Sequence, residues 1–143
     1  MNAARQPPPQ PTQLLLVADA WCEAKSVCEA VAQEIEQPAK VFVVSPALTG
    51  RLRSIASDID GAVATADQRL KAVLGELRSA GFAARGSVGD EDPLLAIEDT
   101  LREFTPTKIL IVTSDSSHEN WRERHIRQRV AALGLPVKFV QAP

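Results

Sequence analysis

Short, strongly hydrophobic segments of this chain predict four β-strands, at residues 14–17, 41–44, 108–112 and 137–140. The first two are uninterrupted apolar runs, whereas the other two contain Lys108 and Lys138. Continuous apolar runs of this length are typical of strands that are buried on both faces, as in parallel sheets. A weaker segment at residues 82–88 alternates imperfectly between apolar and polar positions, which predicts an edge strand.

The stretches between these strands carry apolar residues at helical spacing. The first predicted helix spans residues 20–37 and is stopped by Pro38. The second spans residues 59–80, and Gly81 is expected to end it in the left-handed conformation. The predicted apolar stripe of the first helix consists of Ala24, Val27, Cys28, Val31, Ala32 and Ile35.

Two further helices have recognisable starts. Asp92 is suited to cap a helix and Pro93 to occupy its first position, and Phe104 is expected to pack near the end of this helix. Ser116 and Glu119 have the spacing of a capping box, which predicts a last helix that runs to about residue 133.

The predicted order of elements is therefore β-α-β-α-β-α-β-α-β. Helices of this length between short apolar strands imply parallel pairing and right-handed crossovers. We predict an α/β fold: a three-layer, doubly wound, Rossmann-like domain with a five-stranded, mainly parallel sheet. This single domain is expected at residues 13–143, after a proline-rich, disordered leader at residues 1–12.

Composition narrows the functional classes. The chain of 143 residues is 45% hydrophobic and 24% charged with a net charge of −2, which is typical of a soluble domain without general attraction to nucleic acid. It has no apolar run of about 18 residues that could span a membrane, and we expect a cytoplasmic protein. Cys22 and Cys28 lie about 120° apart around the first predicted helix, so we expect two unpaired, reduced thiols.

Ligands of doubly wound sheets bind at the carboxyl ends of the strands, where the strand order reverses. The candidate cofactor-binding residues at these ends are Asp19, Ser45, Gly89, Thr113, Ser114, Ser116 and Ser117. The last three precede a helix, whose first backbone N–H groups and dipole can bind an anion. Asp115 stands among them, and its negative charge opposes a tightly bound phosphate.

Several of these residues also have a purely structural explanation. Asp19 can bond to a ribose or a base edge, or its charge can be favoured by the dipole at the start of the next helix. Ser116 or Ser117 can simply cap the last helix. Gly89 is expected to supply a turn, and Asp90 to cap a helix or remain solvated.

The last predicted helix is basic, and its arginines are Arg122, Arg124, Arg127 and Arg129. They form either a solvated face with salt bridges or a surface for a protein partner or a phosphate. The face lacks interleaved aromatic residues, which argues against nucleic acid. His118 and His125 lie about 10 Å apart along the helix, too far for one metal ion. We therefore assign no catalytic residue and no metal ligand.

Three stretches resemble the universal stress protein family. "LLLVADA" is similar to the family's first strand, which ends in an aspartate near the adenosine. "VGDEDPLLAIEDTLREFTPTKILIVTS" is similar to its G-D-P helix and the strand that follows, and "LGLPVKFV" to its closing strand. The resemblance covers nearly the whole chain after residue 12, and it implies that Asp19 lies near a nucleotide.

The chain departs from this family at the nucleotide loop. ATP-binding members carry the motif G-x-x-G-x(9)-G-[ST] after the fourth strand, whereas this chain has no glycine between Gly89 and Gly134. The resemblance therefore implies a divergent member with a degenerate ATP loop. Family dimers often pair through the last strand, which predicts a homodimer through Val137 and Phe139. An apolar edge strand favours such pairing on physical grounds as well.

The leading hypothesis is a non-enzymatic, dimeric regulatory or interaction module of the stress response that uses no cofactor. The alternative is a sensor that binds ATP, AMP or another phosphorylated small molecule through Asp19 and the serines after the fourth strand. A rival fold is the receiver domain of two-component signalling, with Asp19, Asp90, Thr113 and Lys138 near the required positions. A receiver needs paired acidic residues after its first strand, however, and this chain has one.

Overall fold

The computed structural model describes residues 12–18, 23–35, 39–46, 58–89, 93–113 and 128–141. The strands are β1 (Thr12–Ala18), β2 (Ala39–Pro46), β3 (Ala83–Gly89), β4 (Lys108–Thr113) and β5 (Val137–Gln141). The helices are α1 (Ala24–Glu34), α2 (Asp58–Ser79) and α3 (Pro93–Thr100). Residues 128–131 form a further helical turn before β5.

The sheet has five strands in the order β3-β2-β1-β4-β5, and all of its strand pairs are parallel. The chain first moves outward from β1 to β3, then returns to the other side of β1 for β4 and β5. This is a doubly wound α/β sheet, as predicted, with its reversal of strand order between β1 and β4. Receiver domains share the order 2-1-3-4-5 of flavodoxin-like folds, so the rival fold is wrong.

Successive side chains of the central strands point to opposite faces, and each face has its own hydrophobic core. On one face, Leu14 and Leu16 of β1 pack with residues of α1 and α2. On the other face, Leu15 and Val17 pack with residues of α3 and with Val130. Burial on both faces explains why the central strands read as continuous apolar runs.

Helix α1 ends earlier than the predicted residue 37. Its last residue is Glu34, and Ile35 already has extended backbone angles (φ −136°, ψ 130°). The Ile35 N–H still donates to the carbonyl of Val31 at 2.9 Å, and its side chain is buried in the core. Ala32, which was expected on the buried stripe, is exposed, and Ala30 is buried instead. The predicted start of this helix and Pro38 lie outside the described residues.

Helix α2 ends as predicted, at a glycine. Gly81 has a φ of 96°, a left-handed conformation that glycine adopts without a steric penalty. The Phe82 N–H donates to the carbonyl of Leu77, and the Gly81 N–H donates to that of Arg78. This is a Schellman motif, and the buried side chains of Phe82 and Leu77 provide the hydrophobic contact that accompanies it.

The start of α3 at Pro93 is confirmed, but its end is earlier than the apolar pattern suggested. The helix stops at Thr100, whose buried hydroxyl donates to the carbonyl of Ala96 at 2.8 Å. Phe104 lies beyond the helix and is nevertheless buried. Its ring packs against that of Phe42, with 5.4 Å between the centroids. The capping residue predicted at Asp92 lies outside the described residues.

Candidate ligand site at the carboxyl ends of the strands

The reversal of strand order places the candidate site at the carboxyl ends of β1 and β4. Ala18 of β1 is paired with Val112 of β4, and both side chains are buried. In doubly wound folds, the reversal of strand order is the position at which ligands bind. Asp19 follows Ala18 directly, and its side chain lies outside the described residues.

The strand register brings Ser45, Gly89 and Thr113, the predicted site residues that belong to described strands, to the same end of the sheet. Val17 of β1 pairs with Val44 of β2 and with Ile111 of β4, so the following residues of these strands lie level with one another. Ser45 is therefore level with Ala18 and Val112. At the next level, Pro46 pairs with Gly89, and Thr113 pairs with Gln141.

Ser45 is a buried polar residue at this end of the sheet, with 5% of its surface exposed. Its hydroxyl donates to the carbonyl of Ala66 in α2 at 3.0 Å. This bond satisfies the buried Ser45 hydroxyl inside the helix–sheet interface and joins β2 to α2. The Ser45 hydroxyl proton is thus used within the protein. A ligand could still donate a hydrogen bond to the Ser45 oxygen, and this contact stays a prediction.

Gly89 is the last residue of β3, not the turn that was expected, and the described glycines with positive φ are Gly81 and Gly134. The absence of a side chain at Gly89 allows close packing against its neighbours. A Cβ atom at this position would lie 2.7 Å from Cβ of Ala96 and 2.8 Å from Cγ1 of Val44. Helix α3 therefore approaches the end of β3 as closely as it does because residue 89 is glycine. Whether Gly89 also contacts a ligand stays a prediction.

The remaining candidates fall largely outside the described part of the chain. Only the backbone of Thr113 is described, as the last residue of β4. The candidates whose positions lie outside are Asp19, Ser114, Ser116, Ser117, Arg122, Arg124 and Arg127. Arg129 is described, and its Nη2 lies 4.0 Å from Oε1 of Glu98.

A charged cluster that the sequence did not reveal joins α1 to the strands near their opposite ends. The Glu34 carboxylate lies 2.9 Å from Nζ of Lys138 and 3.6 Å from Nζ of Lys108. The hydrogen bond from Lys138 is the largest cause that lowers the pKa of Glu34, and the charges of both lysines add to it. Because Glu34 ends α1, and the lysines belong to β4 and β5, this cluster ties the first crossover to the last strand.

Cys28 is a free, buried thiol on α1. Its sulfur lies 3.5 Å from the carbonyl oxygen of Glu76, to which the thiol can donate. Burial raises the pKa of Cys28, and the negative charges of Glu76 and Glu29 raise it further. The thiol therefore stays protonated at neutral pH, which is unsuited to a nucleophile or a metal ligand. Cys22 lies outside the described residues.

The described ranges contain neither a metal-binding group nor a membrane-spanning helix. No group of three or more histidine, cysteine, aspartate or glutamate side chains within them could hold a metal ion. Among the helices of the described residues, none is long and apolar enough to cross a membrane.

No family model matches the chain, and no curated protein matches it. Among solved structures, the chain is similar to the universal stress protein from Archaeoglobus fulgidus in complex with dAMP. That match has 18% identity and a TM-score of 0.49, and it covers 92% of this chain and 98% of the other. A second similar structure is a universal stress protein in complex with cAMP. It has 16% identity and a TM-score of 0.47, and the match covers 94% of this chain and 100% of the other.

Proposed function

We propose that the protein is a divergent universal stress protein that acts as a non-enzymatic, dimeric regulatory or interaction module. The observation that carries this proposal is the use of Ser45 and Gly89 in packing. Ser45 donates its hydroxyl to Ala66 of α2, and the space beside Gly89 is occupied by Ala96 of α3. Two of the candidate positions at this end of the sheet are thus already engaged by the helices on either face.

The sequence after β4 supports the same proposal. Glycine residues allow a loop backbone to approach a phosphate closely and to adopt positive φ angles. The segment from residue 90 to residue 133 contains no glycine, and Asp115 adds a negative charge among the serines that a phosphate would contact. A loop of this composition is poorly suited to hold a nucleoside triphosphate.

The second candidate function is a sensor of ATP, AMP or another phosphorylated small molecule. It is favoured by the position of the strand reversal between β1 and β4, which is where doubly wound folds bind ligands. In this function Asp19 would contact the sugar or base, and Ser114, Ser116 and Ser117 would contact the phosphate.

The partner proposed for the module is a second copy of the chain, bound through β5. This strand ends the sheet on one side, and its residues Val137 and Phe139 are only partly buried. A further protein partner would bind the arginines of the last helix, of which the structure describes Arg129.

A thermal-shift titration with ATP, AMP and cyclic nucleotides in the presence of magnesium distinguishes the two functions. For the interaction module we expect no change in Tm at millimolar nucleotide. For a sensor, a ligand at about 100 times its Kd would stabilise the fold by about 2.7 kcal/mol. That gain should disappear in Asp19→Ala and persist in the control Asp99→Ala, which removes an exposed carboxylate of α3. A saturable shift with this pattern would contradict the module proposal.

A further inference from the structure

Two guanidinium groups flank the edge strand β3, one on each face of the sheet. Arg78, at the end of α2, donates from Nε to the carbonyl of Ala84 at 3.0 Å. Arg85 lies on the other face, where its guanidinium carbon is 5.3 Å from the centroid of the Phe42 ring. An edge strand offers its outer backbone groups to other strands, and charged side chains at such an edge discourage that pairing.

The charges at the two edges of the sheet differ. Within the described ranges, no carboxylate lies within 4.0 Å of the guanidinium groups of Arg78 or Arg85. At β5, in contrast, Lys138 is paired with Glu34 at 2.9 Å. The ion pairs that the structure describes are Lys71–Asp67, Lys108–Glu34, Arg129–Glu98 and Lys138–Glu34. Among the described residues, the guanidinium groups beside β3 thus have no carboxylate partner, whereas Lys138 of β5 has one, which it shares with Lys108.

This difference controls which assemblies are possible. If both edges accepted a strand, β5 of one copy could pair with β3 of the next. Such a head-to-tail contact leaves a free edge at each end, so it can repeat without limit. Pairing of β5 with β5 about a twofold axis uses the same edge of both copies and stops at two.

We propose that Arg78 closes the outer edge of β3 to strand pairing and, together with Arg85, confines self-association to β5. A strand that approaches β3 must displace the Arg78 side chain from the Ala84 carbonyl and bring its own backbone between two cations. The restriction of the assembly to two copies rests on the proposed function, in which two copies pair through β5. The closure of β3 does not depend on that pairing.

Sedimentation velocity of the full chain from micromolar to millimolar concentration tests this inference. For Arg78→Met, which keeps the aliphatic stem and removes the guanidinium, we expect species larger than those of the unmodified protein, growing with concentration. The control is Arg102→Met, which removes the same charge from an exposed position after α3 and should leave the distribution unchanged. Circular dichroism establishes that each variant is folded.

The outcomes separate the two proposals. A dimeric wild type with larger Arg78→Met species supports both the β5 pairing and the closure of β3. A monomeric wild type with an associating variant removes the β5 dimer and leaves the closure intact. Unchanged association of folded Arg78→Met at every concentration overturns the closure. If Arg78→Met does not fold, Arg78→Gln is measured in the same way, and failure of both to fold assigns Arg78 to stability and overturns the inference.

Discussion

The edge strands β3 and β5 are held to the sheet by different kinds of contact. A Cβ atom on Gly86 of β3 would collide with the carbonyl oxygen of Val43 and would lie 2.8 Å from Cδ1 of Leu70. The backbone of β3 thus lies as close to its neighbours as a residue without a side chain permits. Both strands have partly buried apolar residues, but only on β5 is a strand residue, Lys138, tied to α1 through the Glu34 carboxylate among the described ion pairs.

The contrast shows which edge can adapt to a partner. Substitutions at closely packed positions lower the folding stability, because protein interiors leave little free space and a single added methyl group must displace its neighbours. A partly exposed ion pair contributes little and is weakened by salt. We therefore expect substitutions at β3 to cost folding stability, and substitutions around β5 to change stability only slightly.

Gly86→Ala should have the largest effect. The new methyl group must displace the Val43 backbone or the Leu70 side chain, and overpacking of this kind costs about 1–3 kcal/mol. The free energy of unfolding from urea denaturation, followed by circular dichroism, measures this cost. Gly75→Ala is the matched control, because a Cβ atom there has no neighbour within 4 Å. That change should instead raise the stability by about 0.5–1 kcal/mol, as expected for an exposed helix interior.

A destabilisation by Gly86→Ala no greater than that of substitutions at exposed positions would remove the contrast between the edges. It would show that β3 can move outward by the few tenths of an ångström that a methyl group requires. The direction of the stability change in the control matters equally. A loss of stability in Gly75→Ala would indicate that other residues pack on this face of α2.

Glu34→Gln should have a smaller effect, confined to the α1–β5 connection. Lys138 is 53% exposed at its side chain, so we expect a loss of only about 0.5–1 kcal/mol at pH 7. The interactions with Lys138 and Lys108 lower the pKa of Glu34 below its ordinary value of 4.5. Their contribution is therefore present above that value, and it disappears as the pH falls through the lowered pKa of the folded state.

Urea denaturation of both proteins at a series of pH values measures this dependence. The difference between wild type and Glu34→Gln should be constant near neutrality and vanish in acid. Asp67→Asn provides a control, since it removes an exposed helical ion pair with Lys71 that does not reach β5. No difference between the two proteins at neutral pH would mean that the Glu34 stem, which glutamine retains, and not the charge, holds α1 to β5.

The sequence was sufficient to predict the fold because local signals and burial agree along most of the chain. Continuous apolar runs marked the strands, Pro93 marked the start of α3, and Gly81 marked the end of α2. The weak alternation of β3 identified it as an edge strand, which the strand order confirms. These features depend on hydrophobic burial and backbone sterics, and both can be read from a short stretch of consecutive residues.

Other features depend on contacts between distant parts of the chain, and the sequence could not show them. Helix α1 ends at Glu34 because Ile35 packs into the core in an extended conformation. The turn expected at Gly89 is the end of a strand, whose missing side chain accommodates Ala96 of α3. The hydrogen bond from Ser45 to Ala66 likewise joins residues 21 positions apart. The position of the candidate site could therefore be predicted from the topology. The contacts of Ser45 with α2 and of Gly89 with α3 could not be predicted.

The smallest effect is expected where α3 meets the last helix. Arg129 and Glu98 are 4.0 Å apart, with side chains 58% and 42% exposed, so water competes with their attraction. A double-mutant cycle of Glu98→Gln and Arg129→Gln should give a coupling energy below about 0.3 kcal/mol. Such a value would leave Arg129 free to exchange Glu98 for an acidic partner at little cost. A coupling above about 1 kcal/mol would make Arg129 part of the fold and remove it from the proposed partner surface.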